Sequence, residues 1–346
     1  MILREGLGFQ QLTIQEQQAY RAILKAFSKM SAYFDTTHLS RKVDLMKTLQ
    51  VALADNPSVI YFNKTNATKV SHRSTTRFQF EGILPQFEAQ KMASRLEEKV
   101  DHITSKIEST AHTEYAKLTR IYEYLQENVH YDQQELANIL SARSQRTGSE
   151  NPSTHNAYGA LVNNLAVCDG FSSAFTLLAQ KLGIECTHIN GFSTHRSSLV
   201  SVEHAWNIIK TGGKYYHLDV TWDAAQFAEL KEYSYDYFAL DDTQMLADHD
   251  WDKKSVLACT STDLSYYIKN GLFAHSQDHL GDLARSFGQS RSVPARIKIA
   301  PNVSLPDNPA SYIVGAMMEE AVKSGQSAKI SYSFNERNRC FFAKFV

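Results

Sequence analysis

The chain has 346 residues, which is enough for two or so packed units with an ample hydrophobic core. Its formal net charge is −1 and it contains no long block of lysine and arginine, so the charge pattern argues against a surface that binds nucleic acid or anionic membranes. No run of about 18 apolar residues occurs, and the first residues lack the apolar segment of a signal peptide, so we expect no membrane span.

The first 85 residues predict a small α+β unit. Thr13 and Glu16 fit a capping box that starts a helix, and apolar residues three and four apart continue this helix to about Phe34. The second helix should stop before Pro57, because proline disfavours helix continuation. This helix and two short strands are predicted over residues 40–54, 58–62 and 77–80.

Two long amphipathic helices follow, one from Gln86 and one from Glu114. Residues 141–156 then lack periodicity and are rich in Ser, Thr, Asn, Gly and Arg, which predicts a mobile surface loop. Because this loop lies just upstream of Cys168, it could border a cleft as a lid. A tolerated insertion is the other interpretation, and the sequence leaves both open.

Cys168 stands directly before an apolar helical run that ends at Gly183. The partial positive charge and free N–H groups of a helix N-terminus stabilise an anion, so the thiolate of a cysteine placed there is favoured. The other three cysteines, Cys186, Cys259 and Cys340, show no CxxC spacing, and Cys186 lies in an apolar strand pattern typical of a core. Reduced thiols of a cytosolic protein are the plainer interpretation.

Downstream of this helix the pattern predicts three strands, over residues 184–190, 203–210 and 214–220. The last two form a hairpin through Thr211, Gly212 and Gly213. If the turn is Thr211-Gly212, His204 pairs directly with Asp219, and if it is Gly212-Gly213 the two are diagonal neighbours. Both registers put the pair on one face, with Cβ atoms about 5 to 8 Å apart. The carboxylate can then fix the imidazole tautomer and stabilise an imidazolium paired with a thiolate.

Each of these residues alone also fits a purely structural role. A buried cysteine at a helix start is usually a small core residue, His204 could be a satisfied strand histidine, and Asp219 a strand-end acceptor. The combination with Cys168 is what nucleophilic catalysis needs, namely a thiolate, a base and a group that orients the base. Trp206 and Trp222 flank the pair and either wall a cleft or fill the core.

Metal and cofactor chemistry is not expected. The sequence contains no HExxH, no CxxC and no glycine-rich phosphate loop. We therefore predict no metal ligands and no cofactor.

Beyond Trp222 the pattern predicts an extended segment and two short helices, over residues 233–240, 242–249 and 279–287. The final segment predicts a small βαββ module, whose strand, helix and two hairpin strands lie over residues 295–300, 309–324, 329–334 and 340–346.

Four motifs resemble the transglutaminase-like superfamily, in particular its bacterial members. They read YGALV at 158–162, AVCDGF at 166–171, EHAWN at 203–207 and HLDVTWD at 217–223. The order Cys, His, Asp agrees with the papain-like triad of that family. The resemblance implies that Cys168 is the nucleophile, His204 the general base and acid, and Asp219 its orienting carboxylate. It also implies an oxyanion hole formed by the Cys168 N–H and an upstream donor, for which Tyr158 is the candidate.

The resemblance implies acyl transfer through a thioester, in which the thiol attacks an amide of a protein or peptide substrate. An amine would receive the acyl group in transamidation, and water in deamidation or peptide hydrolysis. A catalytically inactive peptide- or protein-binding module on the same fold is the alternative. We expect a cytoplasmic protein, or an exported or surface-associated one if a leader has been removed; the oligomeric state stays open.

The predicted fold class is α+β, with a papain-like transglutaminase core in which the helix bearing the cysteine packs on an antiparallel sheet. The predicted division is an N-terminal α+β unit at 1–85, the core with its leading helices at 86–285, and the C-terminal βαββ module at 286–346.

Overall fold

The structure is a computed structural model that describes residues 3–40, 42–61, 67–72, 75–80, 84–142, 152–194, 201–291, 294–323 and 329–346. The helices are α1 Ile14–Ser28, α2 Leu45–Asp55, α3 Gln86–Thr110, α4 Glu114–Asn128, α5 Gln133–Ala142, α6 Ala157–Leu161, α7 Cys168–Lys181, α8 Val220–Leu230, α9 Asp242–Met245, α10 Tyr266–Lys269, α11 Gln277–Ser290 and α12 Pro309–Lys323. The strands are β1 Tyr33–Asp35, β2 Ala67–His72, β3 Thr75–Phe80, β4 His130–Tyr131, β5 Leu165–Ala166, β6 Glu185–Thr194, β7 Ser201–Thr211, β8 Lys214–Leu218, β9 Phe238–Leu240, β10 His249–Asp250, β11 Phe273–Ala274, β12 Ala295–Ile299, β13 Ile330–Asn335 and β14 Cys340–Phe345.

The chain divides into two units, each built from separated stretches of sequence. The first comprises Met1–Phe192, Glu203–Ser234 and Trp251–Thr260. The second comprises Ser193–Val202, Tyr235–Asp250 and Ser261–Val346. The three-part division drawn from the sequence stays a prediction. Within the described ranges, no helix combines the length and apolar content that crossing a membrane requires.

The N-terminal part of the first unit forms as predicted in outline. Thr13 and Glu16 make the reciprocal capping-box bonds at the start of α1. The strands β1, β3 and β2 form an antiparallel sheet in that order, and Phe34 on β1 packs on Phe78 on β3 with ring centroids 5.3 Å apart. The α2 helix ends at Asp55, before Pro57 as predicted, but it starts at Leu45, after the N-cap Asp44, and not near Ser40.

Two predictions in this part are wrong. Helix α1 ends at Ser28 and does not reach Phe34, because Met30 adopts a left-handed conformation with φ of 49° and the N–H of Ser31 donates to the Ala26 carbonyl, which closes the helix end. Residues 58–61 do not form a strand; Val59 and Ile60 are buried in an irregular segment, and Phe62 lies outside the described residues. A short apolar run has the same appearance in a strand and in a buried connection.

The α7 helix lies at the centre of the first unit. Its inner side chains Phe171, Ala174, Phe175 and Leu178 are fully buried. Beside it, β6, β7 and β8 follow one another in that order, and β7 pairs antiparallel with β8. The amide of Asn207 on β7 donates to the Ser172 carbonyl on α7 at 2.9 Å and to Thr176 Oγ1 at 2.9 Å. The predicted packing of the cysteine helix on an antiparallel sheet is therefore confirmed.

The hairpin resolves the register that the sequence left open. Thr211 pairs with Lys214, so the turn consists of Gly212 and Gly213, which both have positive φ. The second strand ends at Leu218 and does not reach Val220 as predicted, because Asp219 caps a helix, α8, that the sequence pattern did not predict.

The predicted loop at 141–156 falls partly on residues 143–151, which lie outside the described residues. At its far end the prediction is wrong, since Pro152–His155 forms a 3₁₀ turn with Thr154 buried. The reason is a backbone contact, in which the N–H of Val167 donates to the Thr154 carbonyl at 3.0 Å. The turn is thereby attached to the start of α7.

The second unit contains the predicted βαββ module. Its sheet has the order β11-β12-β14-β13, with β12, β14 and β13 antiparallel to their neighbours and β11 parallel to β12. Helices α11 and α12 cover one face, and the core between them contains Leu280, Ile297, Ile313, Met317 and Phe341. Between Trp222 and this module the predicted extended segment is strand only at Phe238–Leu240, and the predicted helix to His249 ends at Met245.

Candidate active site

Cys168 is the first residue of α7 and the most accessible thiol of the chain. It is half-buried, whereas Cys186, Cys259 and Cys340 are buried. The N-cap residue Val167 is extended, and the N–H groups of Cys168 and Asp169 at the start of the helix have no preceding turn to supply an acceptor. A helix of this length favours an anion at its N-terminus, which here is the sulfur.

Two glycines allow the backbone of neighbouring segments to approach this helix start. A Cβ on Gly170 would lie 2.3 Å from the Thr154 carbonyl oxygen, and one on Gly159 would lie 2.1 Å from that of Ser153. No side chain fits at either distance. The glycines in the CDG and YG motifs are therefore required by packing around the 152–155 turn.

His204 on β7 links a carboxylate to the thiol. Its Nε2 lies 2.6 Å from Asp219 Oδ2, and its side chain also hydrogen-bonds with Cys168. His204 is 7 % exposed and Asp219 is 1 % exposed, so solvent screens this arrangement weakly. The structure thus brings together the three residues that the sequence singled out.

Asp219 uses its two carboxylate oxygens for two different tasks. Oδ1 accepts the backbone N–H groups of Thr221 at 2.9 Å and Trp222 at 3.3 Å, which caps α8. Oδ2 faces the imidazole of His204. Because the cap fixes the carboxylate plane, the second oxygen is held in place for the histidine.

The charges around His204 stabilise its protonated form. Burial alone would lower the pKa of His204, but the charge and hydrogen bond of Asp219, together with the hydrogen bond and charge of Cys168, raise this pKa to about 9. His204 is therefore protonated at neutral pH.

Residues behind Asp219 hold the start of α8 against α4. The hydroxyl of Tyr122 lies 2.8 Å from the Asp219 carbonyl oxygen and 2.5 Å from Asp223 Oδ2. The other oxygen of Asp223 accepts the Ser234 hydroxyl at 2.6 Å. These buried contacts were not expected from the sequence, where Tyr122 reads only as part of an apolar stripe.

The predicted cleft residues occupy different environments. Trp206 is fully buried and its indole N–H donates to His217 Nδ1 at 3.0 Å, so it belongs to the core, with its ring 6.0 Å from that of His204. Trp222 is partly exposed, and its ring lies 5.9 Å from His204. Tyr158 is 7 % exposed on α6, and no contact of the described residues places its hydroxyl at Cys168.

Tyr131 is a site residue that the sequence did not single out. Backbone pairing sets it opposite Ala166, two residues before Cys168, and its ring stacks on Phe171 with centroids 6.4 Å apart. Burial and then the charge of Cys168 raise the pKa of Tyr131, so its hydroxyl stays protonated and can donate. Tyr131 lies beyond the end of α4 in a strand of two residues, which is too short to show a periodic pattern, and pattern analysis therefore did not identify it.

His155 is a second unpredicted residue, and it lies between two carboxylates. Its Nδ1 is 3.2 Å from Asp169 Oδ2 and its Nε2 is 3.1 Å from Glu135 Oε1. Asp169 is the residue after Cys168 in the chain.

Cys186, which the sequence assigns to the core, is confirmed there. It is 2 % exposed and contacts Thr176, and burial raises the pKa of its thiol to about 12. His204 and Asp219 are of the residue types that bind metals, but their facing atoms are committed to each other at 2.6 Å.

Comparisons with known proteins identify a transglutaminase-like core domain. The model of the transglutaminase-like superfamily matches residues 101–220, a range that contains all three residues. Human kyphoscoliosis peptidase is 24% identical over 167 residues, which covers 45% of this chain and 24% of that protein. The chain thus spans about a quarter of that relative.

Solved structures give distant matches. A transglutaminase structure is 14% identical with a TM-score of 0.30 and covers 45% of this chain and 44% of that one. A candidate cysteine protease from Cytophaga hutchinsonii is 15% identical with a TM-score of 0.27 and covers 45% of this chain and 61% of that one.

Proposed function

We propose, from the premise that residues 101–220 carry a transglutaminase-like core domain, that this protein transfers acyl groups from protein or peptide amides through a thioester on Cys168. The observation that supports this most directly is the chain of contacts from Asp219 through His204 to Cys168. It provides the thiolate, the proton donor and the orienting carboxylate that nucleophilic catalysis by a thiol needs.

In the first half-reaction, the Cys168 thiolate attacks the amide carbonyl carbon and a C–S bond forms. The negative charge moves to the carbonyl oxygen. When the C–N bond breaks, the His204 imidazolium gives its proton to the departing amine, which leaves a thioester and a neutral imidazole. Asp219 holds the ring in position through both states.

In the second half-reaction, neutral His204 takes a proton from an incoming amine or water as that nucleophile attacks the thioester carbonyl. The C–S bond breaks and the thiolate is restored beside the imidazolium. An amine acceptor gives transamidation, and water gives deamidation or hydrolysis.

The oxyanion of each intermediate needs hydrogen-bond donors. The N–H of Cys168, in the first turn of α7, is one. Tyr158 stays a prediction as the second donor. We add Tyr131 as a further candidate for the second donor, because its ring stacks on Phe171, one turn along the cysteine helix, and its phenol remains protonated.

Alkylation by iodoacetamide at mildly acidic pH tests the nucleophile. Because the other three cysteines are buried, the native protein should lose one thiol rapidly, and Cys168→Ala should lose this reaction. His204→Ala should slow it to the rate of a model thiol, while Asp219→Asn should give an intermediate rate. If native Cys168 reacts no faster than a model thiol or the His204→Ala variant, the catalytic proposal fails and a binding module on the same fold is favoured.

Incubation with casein and a labelled primary amine tests the reaction type. Amine incorporation that disappears in Cys168→Ala supports transamidation, and new peptide termini support hydrolysis. If Cys168 reacts rapidly with iodoacetamide but neither product forms, the proposal applies only to substrates other than casein.

A further inference from the structure

A largely buried cluster of charged side chains includes Asp169, the residue that follows Cys168 in the chain. Glu135 comes from α5, His155 from the 152–155 turn and Asp169 from the first turn of α7. The side chains of Glu135 and His155 are 1% and 13% exposed, while that of Asp169 is 33% exposed. The mechanism above uses none of them.

The geometry of the cluster determines the charge of His155. Each ring nitrogen faces a carboxylate oxygen, at 3.1 Å and 3.2 Å. A neutral imidazole has one N–H donor, so it can satisfy only one ionised carboxylate, whereas an imidazolium donates to both. Burial lowers the pKa of His155, but the hydrogen bonds and charges of Asp169 and Glu135 outweigh it and raise this pKa overall.

The position of Asp169 makes this charge relevant to catalysis. Asp169 follows Cys168 directly, and a carboxylate near a thiol opposes thiolate formation by like-charge repulsion. Among the described residues, Cys168 acts on Tyr131 from β4 and on His204 from β7. Asp219 at the start of α8 faces His204, and the charge of Asp169 acts on the same Tyr131 as that of Cys168. The charged or titratable groups that face His155 among the described residues are Glu135 and Asp169.

We propose that His155 is a positioning residue that, as an imidazolium clamped by Glu135 and Asp169, neutralises the carboxylate next to Cys168 and so preserves the thiolate–imidazolium pair with His204. This inference rests on the proposed function, since it assigns a role toward the same thiolate. His155 does not touch the sulfur or the substrate; it acts through Asp169.

The test is the pH dependence of iodoacetamide alkylation of Cys168, which requires no substrate. In His155→Gln, the unbalanced Asp169 should move the pH of half-maximal alkylation upward by about one unit. In the double variant His155→Gln with Asp169→Asn, the midpoint should return close to that of the native protein. A role of His155 in packing alone would give no such rescue.

Asp169→Asn alone provides a second arm that does not depend on replacing the buried histidine. It removes the carboxylate that follows Cys168 and leaves Glu135 facing His155, so any loss of the His155 proton is offset by the lost negative charge and the midpoint should not rise. An unchanged midpoint in His155→Gln, a raised midpoint in Asp169→Asn, or a double variant that fails to reverse the shift would overturn the inference.

His204→Ala separates this inference from the proposed function. If His204→Ala moves the midpoint and the His155 and Asp169 variants do not, the inference fails while the proposed function stands. If His204→Ala leaves the midpoint at the native value, the thiolate–imidazolium pair is absent and the proposed function itself fails.

Discussion

The imidazole of His204 lies between a carboxylate and a thiol, and this placement sets the pH range in which His204 is protonated. A pKa raised to about 9 means that His204 carries its proton at neutral pH and loses it as the pH rises through that value. The proton that the departing amine needs is lost with it.

We therefore expect the rate of acyl transfer to fall to half near pH 9, while alkylation of Cys168 continues above that pH because it needs only the thiolate. In Asp219→Asn the pH at which acyl transfer falls to half should be lower by about one unit or more, since the negative charge that stabilises the His204 imidazolium is gone. Parallel pH profiles of acyl transfer and alkylation check this. Profiles that decline together at alkaline pH would contradict the assigned role of His204.

Tyr131 and Tyr158 offer a matched pair for testing the oxyanion donor. Replacing Tyr131 by Phe keeps the ring on Phe171 and removes only the hydroxyl, so acyl transfer should slow about 10- to 1,000-fold with little change in the alkylation rate. Tyr158→Phe is the comparison, and an effect confined to that variant would reassign the second donor to Tyr158. Steady-state rates with casein and a labelled amine provide the measurement.

Sequence analysis identified the site residues that lie in recognisable motifs. It missed the residues that only the fold brings close to them. The hairpin pattern set His204 and Asp219 on one face, and the structure places them 2.6 Å apart. His155 lies in a stretch without periodicity, and its partners come from two other helices, so no local spacing could indicate the contact.

Among the elements, α7 depends on how closely the 152–155 turn approaches its first residues. Gly170→Ala would put a Cβ 2.3 Å from the Thr154 carbonyl oxygen, so the helix or the turn must shift. We expect a loss of about 1–3 kcal/mol in the free energy of unfolding, together with slower alkylation of Cys168.

Gly315→Ala is the control for this substitution. Gly315 lies in α12 with open space around its Cβ position, so alanine should stabilise the protein by about 0.5–1 kcal/mol through its helix propensity. Denaturant unfolding of both variants is the measurement, and equal effects would show that packing at Gly170 is not the cause.

Helices with a long apolar stripe were predictable, whereas helix ends set by tertiary contacts were not. The α3 helix follows its periodic pattern from Gln86. The α8 helix begins within a segment read as strand, because Asp219 turns the chain by capping and Tyr122 holds its carbonyl. Neither interaction leaves a periodic signal in the sequence.

On the scale of the whole first unit, Asp55 connects segments that are distant in the chain. Its carboxylate accepts the N–H groups of Gly8 at 3.0 Å and Phe9 at 2.9 Å and the hydroxyl of Tyr20 at 3.0 Å. Its carbonyl accepts the side-chain amide of Gln180, which lies on the cysteine helix. One residue thus holds the N-terminal segment, α1 and α7.

Asp55→Ala should therefore destabilise the first unit by about 3 kcal/mol or more, because it leaves buried donors without an acceptor. Glu5→Ala is the control, since it removes an exposed ion pair with Arg21 and should leave the unfolding midpoint nearly unchanged. Urea unfolding followed by tryptophan fluorescence compares them, and a midpoint of Asp55→Ala equal to that of the control would refute the assignment.

Sequence patterns predict individual helices and strands, but they do not show which of these elements pack into the same unit. Periodicity and turn signals act over a few residues, so they delimit contiguous segments. The two units are assembled from separated stretches, such as Ser193–Val202 and Tyr235–Asp250, and only long-range contacts reveal that grouping.

If Cys168 acts as proposed, the two tasks of Asp219 determine the stage of folding at which this thiol gains its reactivity. One carboxylate oxygen completes the first turn of α8 and the other orients the imidazole, so neither contact is in place until the chain has turned from β8 into α8. We therefore expect a nascent or partly unfolded chain to present an ordinary cysteine, and the proposed reactivity of Cys168 to arise only in the finished fold.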